Sequence, residues 1–172
     1  WQDAELPGIG IDPASVAKRI EGRANALVLE HGAGDYQHGL PMLDALSTAL
    51  IVRALRELGW SITAGERVEP DTLREQLGIR PSHDRLLRRM LAILAEDGIL
   101  AADDDGFVVL ATPPDADVEK QAADLVASAP GIRAETMMTL RCGLQLPSVL
   151  RGADPLEVLF PGGSTDEMTA LY

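Results

Sequence analysis

Apolar positions along this chain recur mainly at three- and four-residue spacing, the mark of helices packed on one side. Val16, Ile20, Ala24, Ala26 and Leu27 predict a first helix to about His31. Asp12-Pro13 starts it, with Asp12 as N-cap and Pro13 at the first helical position. The run Gly32-Ala33-Gly34-Asp35 is expected to break it. A second helix is predicted from about Leu40 to Leu58, with Leu43, Leu46, Leu50, Ala54 and Leu58 on one face and Ile51 and Leu55 beside them. Ala45, Ala49 and Val52 carry the apolar surface round most of its circumference, so burial on several sides is expected. Gly59 is the expected C-cap glycine.

Glu69-Pro70-Asp71 opens a short third helix to about Leu77, and Gly78-Ile79-Arg80-Pro81 makes a turn. A fourth helix is predicted from Ser82 as N-cap, with Leu86, Leu87, Met90, Leu91, Ile93 and Leu94 inward and its end at Asp97-Gly98. A short apolar strand, the turn Asp103 to Gly106 and a second strand from Phe107 to Leu110 follow. Beyond a break at Thr112 to Asp115, helices are predicted from Val118 to Ala129 and from Ile132 to about Leu150, the latter interrupted or ended near Pro147. Asp154-Pro155 starts a short turn to Phe160, and Thr165 to Tyr172 reads as a further helix start. The predicted fold is mainly α, a helical subdomain containing a winged helix-turn-helix with a small β-hairpin wing. Its expected divisions are a linker (1–12), an N-terminal helix and loop (13–40), the winged-helix unit (41–110) and a helical extension (111–172).

Composition agrees with helices. Hydrophobic residues make up 46% of the 172 positions and aromatics only 3%, so the core must be built from Leu, Ala, Val and Ile. The 15 Lys and Arg against 27 Asp and Glu give a formal charge of -12. That balance argues against nucleic acid and anionic membranes, which are held by clustered cations. Cys142 is the single cysteine, which rules out an intrachain disulfide and a cysteine-rich metal site and fits a reducing cytoplasm. No signal segment and no apolar run of membrane-spanning length is evident. The chain opens Trp1-Gln2-Asp3, and a piece of a larger protein is expected.

Candidate chemistry is sparse. Gly32-Ala33-Gly34 lacks the preceding strand of a phosphate-cradling loop, so a plain loop is the favoured reading. His31, His38 and His83 lack the spacing of a helical metal pair, and His31 and His38 with Asp35 read as a solvated loop. Cys142 reads as a structural thiol, with no histidine near it in sequence. Ser164 does not match a nucleophile elbow. Met137-Met138 marks core or a surface that docks another domain. Arg80, Arg85, Arg88 and Arg89 form a basic patch at the fourth helix. The favoured reading is a solvated face, with Arg85 and Arg89 pairing with Asp84, Glu96 or Asp97. A protein-contact surface carried by Arg85, Arg88 and Arg89 is the second reading. DNA is the third, opposed by the carboxylates of Asp103, Asp104 and Asp105. No catalytic, cofactor-binding or metal residue is assigned.

Three stretches carry a family resemblance. They are LDALSTALIVRALRELGW (Leu43 to Trp60), HDRLLRRMLAILAEDGIL (His83 to Leu100) and LPSVLRGADPLEVLFPGGS (Leu146 to Ser164), running on to Ala170-Leu171-Tyr172. In this order they resemble the region immediately upstream of the carbon-methyltransferase core in modular polyketide synthases, over about residues 20 to 172. The resemblance implies a helical, winged-helix lid over a core that binds S-adenosylmethionine. That core methylates the α-carbon of a β-ketoacyl chain on the phosphopantetheine arm of an acyl carrier domain. It also implies that the cofactor loop, the catalytic histidine and its acidic partner follow residue 172, so none is carried over.

The expected partners are the methyltransferase core and the acyl carrier domain of the same cytoplasmic synthase, with no nucleic acid and no membrane. By analogy with small-molecule methyltransferases, the helix from Leu43 to Leu58 would make a homodimer. Two alternatives remain at this point. One is a structural or docking remnant of a split or inactive methyltransferase; the other is an acidic winged-helix regulator.

Overall fold

The computed structural model describes residues 12–30, 33–164 and 169. The expected linker (1–12) lies almost wholly outside them, and the helix start over 165–172 is described only at Thr169. Helix α1 spans Pro13–Glu30. The Asp12 carboxylate caps it, accepting from the Ala14 amide at 3.2 Å and the Ser15 amide at 3.1 Å.

Helix α2 spans Ala33–Leu58 and passes through Pro41. The expected break therefore fails at Ala33, Gly34 and Asp35, which are helical, while Gly32 lies outside the described residues. A boundary at 40/41 would cut this helix. Long-range contacts explain the difference. Asp35 accepts a hydrogen bond from the Gly131 amide at 3.0 Å, and a Cβ on Gly39 would collide with the Ile132 side chain. These contacts hold the helix across a proline that removes one ladder hydrogen bond.

The expectation that α2 is buried on several sides holds. Ile51, Val52, Leu55 and Leu58 enter one core with Trp60, Ile62, Leu73, Leu87, Leu91, Leu94 and Val109. Leu46 and Leu50 enter a second core with Val118, Leu125, Ala129 and Ile132. Gly59 closes the helix at φ +116°, a left-handed conformation that glycine adopts without steric cost.

Helix α3 spans Pro70–Gln76, with Glu69 as its cap. A 3-10 turn over Pro81–His83 then leads into α4, Asp84–Glu96. Ser82 sits inside that turn and is not the N-cap; His83 holds that position and makes no side-chain capping bond. Leu87, Met90, Leu91 and Leu94 are buried and Ile93 packs against them, but Leu86 is 39% exposed. One step along a helix turns a side chain by about 100°, which carries position 86 off the buried face.

The sheet has three antiparallel strands in the order β1-β3-β2: β1 Arg67–Val68, β2 Leu100–Asp103 and β3 Gly106–Val109. The predicted hairpin is present, with Leu100 opposite Val109 and Asp103 opposite Gly106. Leu110 lies past its end and is 56% exposed. Strand β1 pairs Arg67 with Val108, and a Cβ on Gly106 would collide with the Val68 carbonyl.

Helix α5 spans Val118–Ser128, capped by Asp117. After a 3-10 turn over Pro130–Ile132, α6 spans Arg133–Leu150 and runs through a buried Pro147. Helix α7, Pro155–Leu159, starts at an Asp154 cap as expected. The architecture is mainly helical with one small sheet. Among the described residues, no helix is long and apolar enough to cross a membrane.

Candidate interaction surfaces

The arginine patch is largely neutralised from within. Asp71 at the start of α3 and Asp84 at the start of α4 converge on Arg88, which donates to them at 2.8 and 2.9 Å. Hydrogen bonds to Asp84 and then Asp71 push the Arg88 guanidinium further towards its charged form. Arg74 lies 3.9 Å from carboxylate oxygens of both aspartates. Arg89 grips Glu96 through two hydrogen bonds of 2.6 and 3.2 Å, and this bond holds the Glu96 carboxyl below its ordinary range. Arg80 donates to the Arg151 carbonyl at 3.2 Å.

The pairing of Arg89 with Glu96 was expected. The partner of Asp84 is Arg88 and not Arg85, because Arg88 stands one helical turn along the same face. Arg85 is exposed and makes no ion pair with a described residue. In the acidic turn, Asp103 pairs with Arg67 of β1.

A groove of about 570 Å³ lies between α2 and the segment leading into α5, with Ala45, Ala49 and Val52 among the residues along its floor. Arg56 crosses it to donate to the carbonyls of Pro113 and Pro114 and to Asp115 at 2.7 Å. Arg53 pairs with Glu119 at 3.0 Å, and this bond leads the lowering of the Glu119 carboxyl. The Thr48 hydroxyl donates to Asp97. Sequence reasoning missed this groove. Its local signal was Arg53 and Arg56 one turn apart on a stretch that is apolar round most of its circumference.

A smaller apolar groove lies between α2 and α6, lined by Leu50, Ile51, Met138, Cys142 and Leu146. Burial pushes the Cys142 thiol up, with Arg141 opposing, which favours the unreactive protonated form. Met138 is half-buried there, and Met137 is 43% exposed.

The remaining candidates do not assemble. His38 is exposed on α2, His83 ends the 3-10 turn, and His31 lies outside the described residues. Asp35, the carboxylate read beside them, is committed to Gly131. Among the described residues, no three His, Cys, Asp or Glu side chains are placed to hold a metal ion. Ser164 follows a 3-10 turn, not the strand that a nucleophile elbow requires.

No family model matches the chain. Among curated proteins, 122 residues are 29% identical to non-reducing polyketide synthase adrD of Penicillium rubens, covering 70% of this chain and 5% of that protein. Over 124 residues it is 28% identical to non-reducing polyketide synthase pigA of Monascus ruber, covering 70% of this chain and 4% of that one. Among solved structures, the CurJ carbon methyltransferase superposes with a TM-score of 0.78 at 34% identity, over 94% of this chain and 43% of that one. The DszA carbon methyltransferase gives 0.72 at 31%, over 80% and 36%. The citrinin polyketide synthase CMeT domain shares the fold, with a TM-score of 0.72 at 24% identity over 90% and 41%. The chain thus spans under half of each methyltransferase and about a twentieth of each synthase.

Proposed function

We infer the function from what sequence and fold share: this chain corresponds to the N-terminal region of polyketide synthase carbon-methyltransferase domains. It serves there as a non-catalytic lid, and the S-adenosylmethionine-dependent core beside it methylates the α-carbon of a carrier-bound β-ketoacyl chain. The observation that carries this reading is the coverage. The likeness to the CurJ carbon methyltransferase takes in 94% of this chain but only 43% of that one.

The residues present fit a lid better than a cofactor site. A dinucleotide-type cofactor cradle needs a strand, a glycine loop and a helix in a parallel sheet. Among the described residues the three strands are all antiparallel, and Gly34 of the candidate glycine pattern lies within α2. No step of methyl transfer is assigned to this chain. Its contribution is to exclude water and shape the entrance for the acyl arm. In this reading α3, the turn, α4 and the hairpin form a winged helix-turn-helix within residues 41–110, and residues 111–172 lead towards the core. Arg85, Arg88 and Arg89 face the core or an acyl carrier domain of the same cytoplasmic synthase.

The test joins this chain to the remainder of a carbon-methyltransferase domain and compares it with that remainder alone. S-adenosylmethionine binding should be alike in both. Methylation of a carrier-bound β-ketoacyl substrate should fall roughly tenfold or more without residues 13–164. Equal turnover in the two proteins would overturn the lid role.

A further inference from the structure

Helix α6 is closed by a residue from another part of the fold. The last four carbonyls of a helix lack partners within it. At the end of α6 two are met locally: the Ala153 amide donates to the Ser148 carbonyl at 3.0 Å and the Gly152 amide to that of Val149 at 2.8 Å. The next two are met by Arg80, in the turn between α3 and α4. Its amide donates to the Leu150 carbonyl at 3.0 Å, and its Nε donates to the Arg151 carbonyl at 3.2 Å.

Gly152 makes room for this clasp. It stands at φ +108°, and a Cβ there would overlap the Arg80 guanidinium. Gly59, Gly78 and Gly98 also follow helices in left-handed conformations, but a Cβ on any of them would meet open space. The ordinary need for glycine after a helix therefore does not account for the packing at Gly152. Arg151 adds a bond in another direction, from Nη2 to the Leu58 carbonyl at the end of α2 at 3.4 Å. Three segments are thus pinned where the chain turns out of α6, and Gly152 to Glu157 beyond them are exposed. The direction of exit is fixed at the clasp and not by burial of the residues that follow.

We propose that Arg80 is a positioning residue for carbon methylation. By clasping Gly152 it sets the angle at which the chain passes from the α3–α4 unit towards the catalytic core, and so where the lid stands over the acyl-arm entrance. This rests on the lid reading, in which residues 111–172 lead towards that core. A misplacement of about 1 Å far from the reacting atoms is enough to slow a reaction severely. No contact of Arg80 with substrate is required.

The test uses the joined methyltransferase domain. Arg80→Ala keeps the amide bond to Leu150 and removes the clasp. It should lower kcat/KM for a carrier-bound β-ketoacyl substrate about tenfold, through KM, and leave S-adenosylmethionine binding and the unfolding midpoint nearly unchanged. A small free β-ketoacyl thioester, which needs no shaped entrance for the arm, should be methylated as before. Gly152→Ala should reproduce the loss, and the double variant should be no slower than the poorer single one, because both substitutions break one contact. Unchanged kinetics in Arg80→Ala, in a domain that still depends on residues 13–164, overturns this inference and leaves the lid reading standing. Equal loss on both substrates with a lowered midpoint makes Arg80 a purely structural residue and also overturns it. Turnover indifferent to residues 13–164 overturns the lid reading, and this inference with it.

Discussion

Gly143 of α6 lies so close to Leu50 of α2 that a Cβ added there would sit about 2.5 Å from Leu50 Cδ1 and 2.8 Å from its Cβ. The Leu50 tip can swing away, but its Cβ is fixed by the α2 backbone. Alanine at 143 would gain up to about 1 kcal/mol in helix propensity. Overpacking typically costs about 1–3 kcal/mol, so Gly143→Ala should lower stability and Gly143→Leu should lower it further. Urea denaturation of the three proteins checks the order; a stabilised Gly143→Ala would mean that the helices can separate freely.

Leu150 is fully buried at the end of α6 and joins the core under α4, against which Leu146 also packs, whereas Leu140 and Leu144 pack against the core shared with α5. The Arg80 amide also donates to the Leu150 carbonyl at 3.0 Å. Leu150→Ala should therefore destabilise by about 2–5 kcal/mol, as for other buried leucines. It should also loosen α6 from the sheet-bearing half. Hydrogen exchange at Arg80 should accelerate in this variant and remain unchanged in Leu46→Ala, whose cavity opens in the other core.

Glu69 caps α3 by accepting from the Thr72 hydroxyl at 2.7 Å and the Asp71 and Thr72 amides at 2.9 and 2.6 Å. These bonds, the hydroxyl first, hold its carboxyl below the ordinary value of 4.5. Arg89 and Arg53 do the same for Glu96 and Glu119. A depressed carboxyl contributes stability that is present above its unfolded value and is lost as pH falls through the folded one. Unfolding midpoints should thus decline below about pH 4.5. Glu69→Gln should flatten that decline. An identical pH profile in the variant would show that the cap is not ionised in the folded chain.

The parts of this architecture that were legible in the sequence are those fixed by neighbours in the chain. Asp12-Pro13, Gly59, Asp97-Gly98 and Asp154-Pro155 mark ends that the backbone itself requires, and each is where it was expected. The misreadings have partners far along the chain. The second helix was read from about Leu40 and not from Ala33 because the Asp35–Gly131 bond, which reaches across 96 residues, leaves no local trace. Strand β1 is two residues long and exists through pairing with β3. The groove was invisible because Arg56 reaches carbonyls 57 and 58 residues away. The arginine patch was legible as a patch, but its pairing needed the approach of Asp71, 17 residues from Arg88.

That pairing decides between the partners that the patch could serve. Arg88 and Arg89 already share their charge with Asp71, Asp84 and Glu96, so presenting them to a phosphate backbone means breaking those pairs. Asp104 and Asp105 are exposed at the tip of the hairpin, where they would repel the same backbone. Duplex DNA should therefore fail to bind even at low salt, by fluorescence anisotropy, and salt-sensitive binding would revive the regulator reading. Arg85 has no such partner among the described residues and can meet an acidic surface without rearrangement. Arg85→Glu should weaken binding of an acidic acyl carrier domain in calorimetry while leaving the unfolding midpoint in place. Arg88→Met should lower the midpoint slightly, because it leaves Asp71 and Asp84 with Arg74 alone, 3.9 Å from each. Carrier binding that ignores Arg85→Glu would place the contact elsewhere on the chain.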